Sequence, residues 1–134
     1  ICTERGGELN GLVTVAKEIQ DNMANATRFF ELCRVTAAPH KPVGPAEKML
    51  VICEIDGQKA GALYDVLKEF ADRGVNMTRI ESRPARTELG AYIFFFDLEV
   101  ADNEAALREA VAAVARKSKW LKDLGSFPVV RANP

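Results

Sequence analysis

Apolar positions from residue 46 onward repeat with two periods, and the switch between them predicts the elements. Residues 48–55, Lys-Met-Leu-Val-Ile-Cys-Glu-Ile, form a β-rich run. Leu63, Val66, Leu67, Phe70 and Ala71 then fall at i, i+3, i+4, i+7 and i+8, the stripe of an amphipathic helix. Glu69 with Arg73 and Lys68 with Asp72 make i,i+4 charge pairs on its outer side, and Gly74 is placed to end it. A second strand is expected over 75–83, stopped by Pro84, and a turn over 85–90. Tyr92, Phe94, Phe96, Leu98 and Val100 alternate along a third strand, with Ile93 and Phe95 opposite before that side turns polar at Asp97 and Glu99. A helix over 103–117 buries Leu107, Ala110, Val111 and Val114, and a last strand covers 121–127. The order is β-α-β-β-α-β. Two striped helices need a sheet face to cover them, so the chain predicts an α+β, ferredoxin-like unit with a four-stranded antiparallel sheet and both helices on one face.

The first third reads differently. Residues 36–46 hold three prolines and a glycine, a connector between a leading piece, 1–35, and the unit at 47–134. Within the piece, the end of a helix is expected from Glu4 to Leu12, stopped by Gly11, with short strands over 12–19 and 29–35. About 35 residues cannot bury a core without metal or disulfide, so these elements presume a neighbour upstream.

Composition changes little. The chain of 134 residues is 48% apolar and 28% charged, with a formal net charge of -1, which offers no electrostatic attraction for nucleic acid. Nothing approaches the roughly 20 apolar residues of a membrane span, and no secretory signal opens the visible chain. Cys2, Cys33 and Cys53 are scattered and His40 sits among prolines, so no metal site is expected. The thiols read as free and mostly buried, in a reducing cytoplasm. No cofactor is expected.

The β-α-β-β-α-β order is shared with RNA-recognition-motif domains, which stack bases on aromatic residues of the central strands. Gly90-Ala-Tyr-Ile-Phe-Phe-Phe96 invites that alternative. An aromatic residue normally follows the glycine, however, where this chain has Ala91, and no basic residue flanks the run on its near side.

Two other stretches are more specific. Gly61-Ala62-Leu63-Tyr64 at the first helix start and Glu81-Ser82-Arg83-Pro84 at the end of the second strand resemble the paired GALY and ESRP motifs of the phenylalanine-sensing ACT domains of prephenate dehydratases. The flanks agree: Phe70-Ala-Asp-Arg-Gly-Val-Asn76, Thr78-Arg-Ile80, Tyr92-Ile-Phe-Phe-Phe-Asp97 and Leu124-Gly-Ser-Phe-Pro128. The match spans 48–128. Ala60 departs from the family's usual proline.

The resemblance implies a binding site made of Gly61, Ala62, Leu63, Tyr64, Asn76, Glu81, Ser82, Arg83 and Pro84. In the family the two motifs face each other across a dimer interface and enclose phenylalanine, so a homodimer or tetramer is implied. The residues are apt for this. Exposed amides at a helix start can hold a carboxylate, and Gly61 permits close approach to the backbone.

Asn25-Ala-Thr-Arg-Phe29 is similar to the Thr-Arg-Phe region that closes the prephenate dehydratase catalytic domain, with Met23 in place of a usual proline. The leading piece is then the end of an α/β catalytic domain. The implied reaction converts prephenate to phenylpyruvate, water and carbon dioxide, and aromatisation drives it. It needs a proton donor for the departing hydroxyl and a cation to position carboxylate. The resemblance gives these tasks to Thr27 and Arg28, with Phe29 excluding water and Asn25 beside them. The fragment itself is expected to be inactive, and whether a chorismate mutase domain precedes it stays open.

Overall fold

A computed structural model of the chain describes residues 1–21, 27–34, 44–86, 90–100 and 104–131. It divides into two compact units, Ile1–Ala37 and Ala38–Pro134.

The second unit carries β1 (Lys48–Ile55), α2 (Ala62–Ala71), β2 (Met77–Pro84), β3 (Tyr92–Glu99), α3 (Glu104–Lys117) and β4 (Trp120–Phe127), after a short α1 (Glu4–Leu9) in the first. All pairings are antiparallel, and the sheet order is β2-β3-β1-β4. This is the ferredoxin-like arrangement expected from the two periods.

Register fixes the faces. Met49, Val51, Cys53 and Ile55 lie opposite Leu98, Phe96, Phe94 and Tyr92. All but Phe94 and Tyr92 join Val66 and Phe70 of α2 and Leu107, Ala110, Val111 and Val114 of α3 in one core, with Phe94 packed against it and Tyr92 partly exposed. Phe70 meets Phe96 edge-on at 5.5 Å between ring centroids, and Phe96 stacks on Phe94 at 6.1 Å. Both helix stripes are therefore spent on one side of the sheet.

Turn chemistry explains the boundaries. Gly74, at φ 67°, lets Val75 N–H reach back to the Phe70 carbonyl while its own N–H bonds Ala71, a Schellman-type end to α2. The second strand begins at Met77 and not at 75, because Val75 N–H is spent on the Phe70 carbonyl in the helix end. Pro84 is the last residue of β2 and not the stop beyond it. On an edge strand its missing N–H costs no ladder bond. In β4, Gly125 at φ 89° sits where the pairing with β1 shifts, and its N–H donates to Asp123 Oδ1.

The helices are tied by one carboxylate. Glu69 of α2 accepts from Arg73 Nη1 at 2.5 Å and from Lys117 Nζ of α3. These two cations hold its pKa below the ordinary value of 4.5. A group with a lowered folded pKa stabilises the fold above that ordinary value and loses the effect as pH falls through the folded one. Glu69→Gln is therefore expected to lower the melting temperature at neutral pH by a few degrees. The gap from wild type should close as acid protonates Glu69, and high salt should narrow it. Parallel melting curves from pH 7 to pH 2 would check this.

The first unit behaves as a piece without a core. Thr3 Oγ1 caps α1 by accepting from Gly6 N–H, but α1 ends at Leu9, short of the expected Leu12, with Gly11 at φ 63° beyond it. In α1 only Gly7 is buried. The strands expected over 12–19 and 29–35 are absent among the described residues. A strand needs a partner ladder and a covered face. Val13, Val15, Phe29 and Leu32 are instead exposed. The thiols also differ from expectation: Cys2 and Cys33 are exposed, and only Cys53, held in the sheet, is buried. His40 and most of the connector lie outside the described residues.

Candidate functional site

The loop from β1 into α2 builds the site. Asp56 Oδ1 accepts from Gln58 N–H, and the Lys59 carbonyl accepts from Ala62 N–H, folding residues 56–61 into successive turns. Gly61 then takes φ 78°, which only glycine adopts freely, and opens α2 as its N-cap. A glycine cap has no side chain to offer. The Ala62 amide is spent on Lys59, so among the described residues the Leu63 and Tyr64 amides are those left facing outward at the positive end of the helix.

At the start of α2 lies a cavity of about 190 Å³ lined by Ile55, Asp56, Gly57, Lys59, Gly61, Ala62, Leu63, Tyr92 and Phe94. Complete small-molecule pockets hold roughly 300–1,000 Å³. This cavity is one wall of a site. Its chemistry is divided: Ile55, Leu63, Tyr92 and Phe94 are apolar or aromatic, while Asp56 and Lys59 stand with opposite charges. Lys59 donates to Asp65 Oδ2 at 2.9 Å, which raises the lysine pKa and lowers that of the aspartate. The ammonium stays charged, held against the Asp65 carboxylate in the first turn of α2.

The second motif divides by strand alternation. Ser82 and Pro84 pair with Phe94 and Tyr92, so they share the face of the cavity-lining rings, one strand further out. Glu81 and Arg83 pair with Phe95 and Ile93 on the opposite face, where Glu81 bridges Arg79 and Arg83 and Arg79 reaches buried Asp97 at 3.8 Å. One chain thus brings Gly61, Ala62, Leu63, Ser82 and Pro84 to the same end of the sheet. Asn76 is at the other end, donating to Glu99 Oε2 at 2.7 Å, about seven residues or roughly 24 Å along β3 from Tyr92.

Sequence reasoning missed Asp56, Lys59, Tyr92 and Phe94 as lining residues. The Asp-Gly pair at the end of β1 is a turn signal that marks the loop. The aromatic alternation points to the core and carries no sign that its first two rings end beneath a loop.

The other candidates lie in the first unit. Thr27 and Phe29 are exposed there, in line with Arg28, in no regular element, and Asn25 lies outside the described residues. The base-stacking alternative fails on the faces. Tyr92, Phe94 and Phe96 turn toward the helix side, leaving Phe95 among the ion pairs of the bare side. Among the described residues no helix is long and apolar enough to cross a membrane, and no group of three metal-ligating side chains occurs.

Comparison with known proteins identifies its relatives. The ACT domain family matches residues 42–116. A prephenate dehydratase of Methanocaldococcus jannaschii is 36% identical over 129 residues, 96% of this chain and 46% of that protein. One from Mycobacterium tuberculosis is 40% identical over 118 residues, 88% of this chain and 36% of its own length. The solved structure of a prephenate dehydratase from Arthrobacter aurescens, in complex with L-Phe, superposes with a TM-score of 0.55 at 36% identity, covering 65% of this chain and 30% of that one. The chain therefore spans less than half the length of these relatives. With the family model covering more than half of the chain, this protein belongs to the ACT domain family.

Proposed function

We propose that the second unit is the allosteric L-phenylalanine sensor of a prephenate dehydratase, giving feedback inhibition of phenylalanine biosynthesis. The observation that carries this reading is the meeting, at one sheet end, of open α2 amides, a lysine, a carboxylate and an apolar floor. A free amino acid presents the complementary set. Its carboxylate suits the Leu63 and Tyr64 amides with Lys59, its ammonium suits Asp56, and its ring suits Ile55, Tyr92 and Phe94. That the Arthrobacter aurescens protein was solved with L-Phe supports the choice of ligand.

The missing wall points to a homodimer. β2 is an edge strand, with Ile80 and neighbouring Tyr92 partly exposed on the helix side. If β2 pairs with its own copy about a two-fold axis, the strands run antiparallel. The Asn76 end of one subunit then lies beside the Ser82 and Pro84 end of the other. Asn76 would close the partner's cavity, which accounts for its distance from the cavity of its own chain. Glu81 and Arg83 would reach the ligand only round the strand edge.

In the parent enzyme, Thr27 would protonate the departing hydroxyl of prephenate, Arg28 would orient its carboxylates through paired bonds and Phe29 would exclude water. Asn25 belongs to the same group. Phenylalanine held by the ACT dimer would shift the catalytic domains toward low affinity through the connector, a coupling of about 1–3 kcal/mol. Exposed thiols at Cys2 and Cys33 suit the reducing cytoplasm.

Calorimetric titration of the chain with phenylalanine, tyrosine and tryptophan, with mass determined by sedimentation, tests the reading. One phenylalanine per subunit of a dimer is expected. Tyrosine should bind less tightly, by up to about 100-fold, because the apolar lining offers its hydroxyl no partner. Absence of heat with all three would refute the sensor.

A further inference from the structure

The loop that carries the open amides rests on the β2–β3 hairpin through bare backbone. A Cβ built on Gly57 would lie 1.8 Å from the Gly90 carbonyl oxygen and 3.6 Å from Cδ2 of Tyr92. Gly57 does not take a left-handed φ, so its need for glycine is steric contact and not conformation. On the other side, a Cβ on Gly90 would come 2.5 Å from Gln58 Nε2, so the Gln58 side chain lies across Gly90. Two glycines thus clasp loop to hairpin. Ala85 N–H bonds the Ala91 carbonyl at 2.9 Å and closes the hairpin base, immediately after Pro84.

We infer that the Gly57–Gly90 clasp couples the two effector sites of the dimer. This rests on the proposed function, in which each cavity lies at the Pro84 end of its own β2 and receives Asn76 from the partner's β2. A ligand drawn under the α2 amides presses residues 56–61 onto the hairpin. The clasp passes that displacement to β2 without intervening side-chain freedom. β2 is paired to β3 from Pro84 to Arg79 and again at Met77, with one irregularity between them, and the Asn76 carbonyl just before it accepts from Glu99 N–H, so the strand moves with β3. Its far end, about 24 Å away, bears Asn76 in the other site. Gly57 is a positioning residue: it acts through the loop and the strand and makes the second site ready when the first is filled.

The test is phenylalanine binding to the 134-residue chain and to Gly57→Ala, whose added methyl must push the loop off Gly90. In wild type the second ligand should bind at least about 5-fold more tightly than the first, with a Hill coefficient above unity. Gly57 also lines the cavity, so Gly57→Ala is expected to weaken both ligands alike, and the readout that matters is the coefficient, reduced to unity. Independent sites in wild type, or undiminished cooperativity in the variant, would overturn the clasp while leaving the sensor intact. No binding by wild type would refute the sensor, and the coupling with it. If Gly57→Ala fails to fold or bind, hydrogen exchange in wild type decides. Ala85 lies outside the cavity lining. Phenylalanine should slow exchange of its amide through the clasp, and an unchanged rate would refute the coupling.

Discussion

Gly61→Val is expected to abolish measurable phenylalanine binding while the sheet and the dimer persist. Gly61 sits at φ 78°, and a Cβ there would touch nothing within 4 Å. The substitution meets no wall of the protein, so it does not disrupt packing. Its effect comes from two other sources. A β-branched residue held in the left-handed region costs about 1–3 kcal/mol, which the loop escapes by rearranging and carrying the Leu63 and Tyr64 amides away from the cavity. If the loop instead holds, the valine methyl groups stand in the open space that the ligand enters. The steric route should weaken binding by about 100-fold or more and the strain route by roughly 5- to 150-fold, since each tenfold loss corresponds to about 1.4 kcal/mol. Gly61→Ala separates the two. It carries the left-handed strain without the branched bulk, and about 1–2 kcal/mol of strain predicts a loss of roughly 5- to 30-fold. Titration reads the affinity, and circular dichroism with sedimentation confirms fold and assembly. A valine variant that binds as wild type would place the ligand elsewhere.

The contrast between Gly61 and its surroundings marks what a linear reading can reach. The period of the α2 stripe and the alternation along β3 are properties of residues close in sequence, so the elements and their inward faces were legible. Gly74 as a helix end was legible for the same reason: one residue's freedom decides it. The motif residues around Gly61 and Ser82 were found by resemblance. What escaped depends on how separate segments meet. Gly57 lies in an ordinary Asp-Gly turn until the hairpin carbonyl of Gly90 arrives against it. Tyr92 and Phe94 look identical in pattern to Phe96, yet α2 starts too late to cover them, so two core-like rings become a cavity floor. Glu81 and Ser82 are neighbours in the chain but face opposite sides of the sheet. The Schellman bond from Val75 back to Phe70 delayed the start of β2, and the register shift near Thr78 has no local signature. In the first unit the β-rich residues were read correctly as apolar and wrongly as strands, because propensity without a partner strand has nothing to pair with.

Phe96→Ala is expected to have the largest effect on stability and to carry part of it into the site. Phe96 is fully buried at the centre of the sheet, between Val51 on β1 and Ile80 on β2, with Phe70 edge-on above it and Phe94 stacked beside it. Replacing a buried phenylalanine by alanine costs about 3–5 kcal/mol in lost transfer energy and cavity. A domain of this size holds roughly 5–15 kcal/mol in total, so the variant stays folded only with a thin margin. In urea, with a dependence of about 1–3 kcal/mol per molar, the midpoint should fall by about 2 M. Phe94 loses the ring it stacks on, and Phe94 is also part of the cavity floor. Phenylalanine affinity should therefore drop by about tenfold even where the variant is folded, equivalent to about 1.4 kcal/mol. Phe95→Ala, one residue away, is the control. Phe95 lies on the bare side of the sheet and is only half-buried, so its loss should cost about 1 kcal/mol and leave affinity unchanged. Equal urea midpoints for the two variants would mean that the helices do not cover the face on which Phe96 lies. A large loss at Phe96 without weaker binding would separate the stacked rings from the effector site.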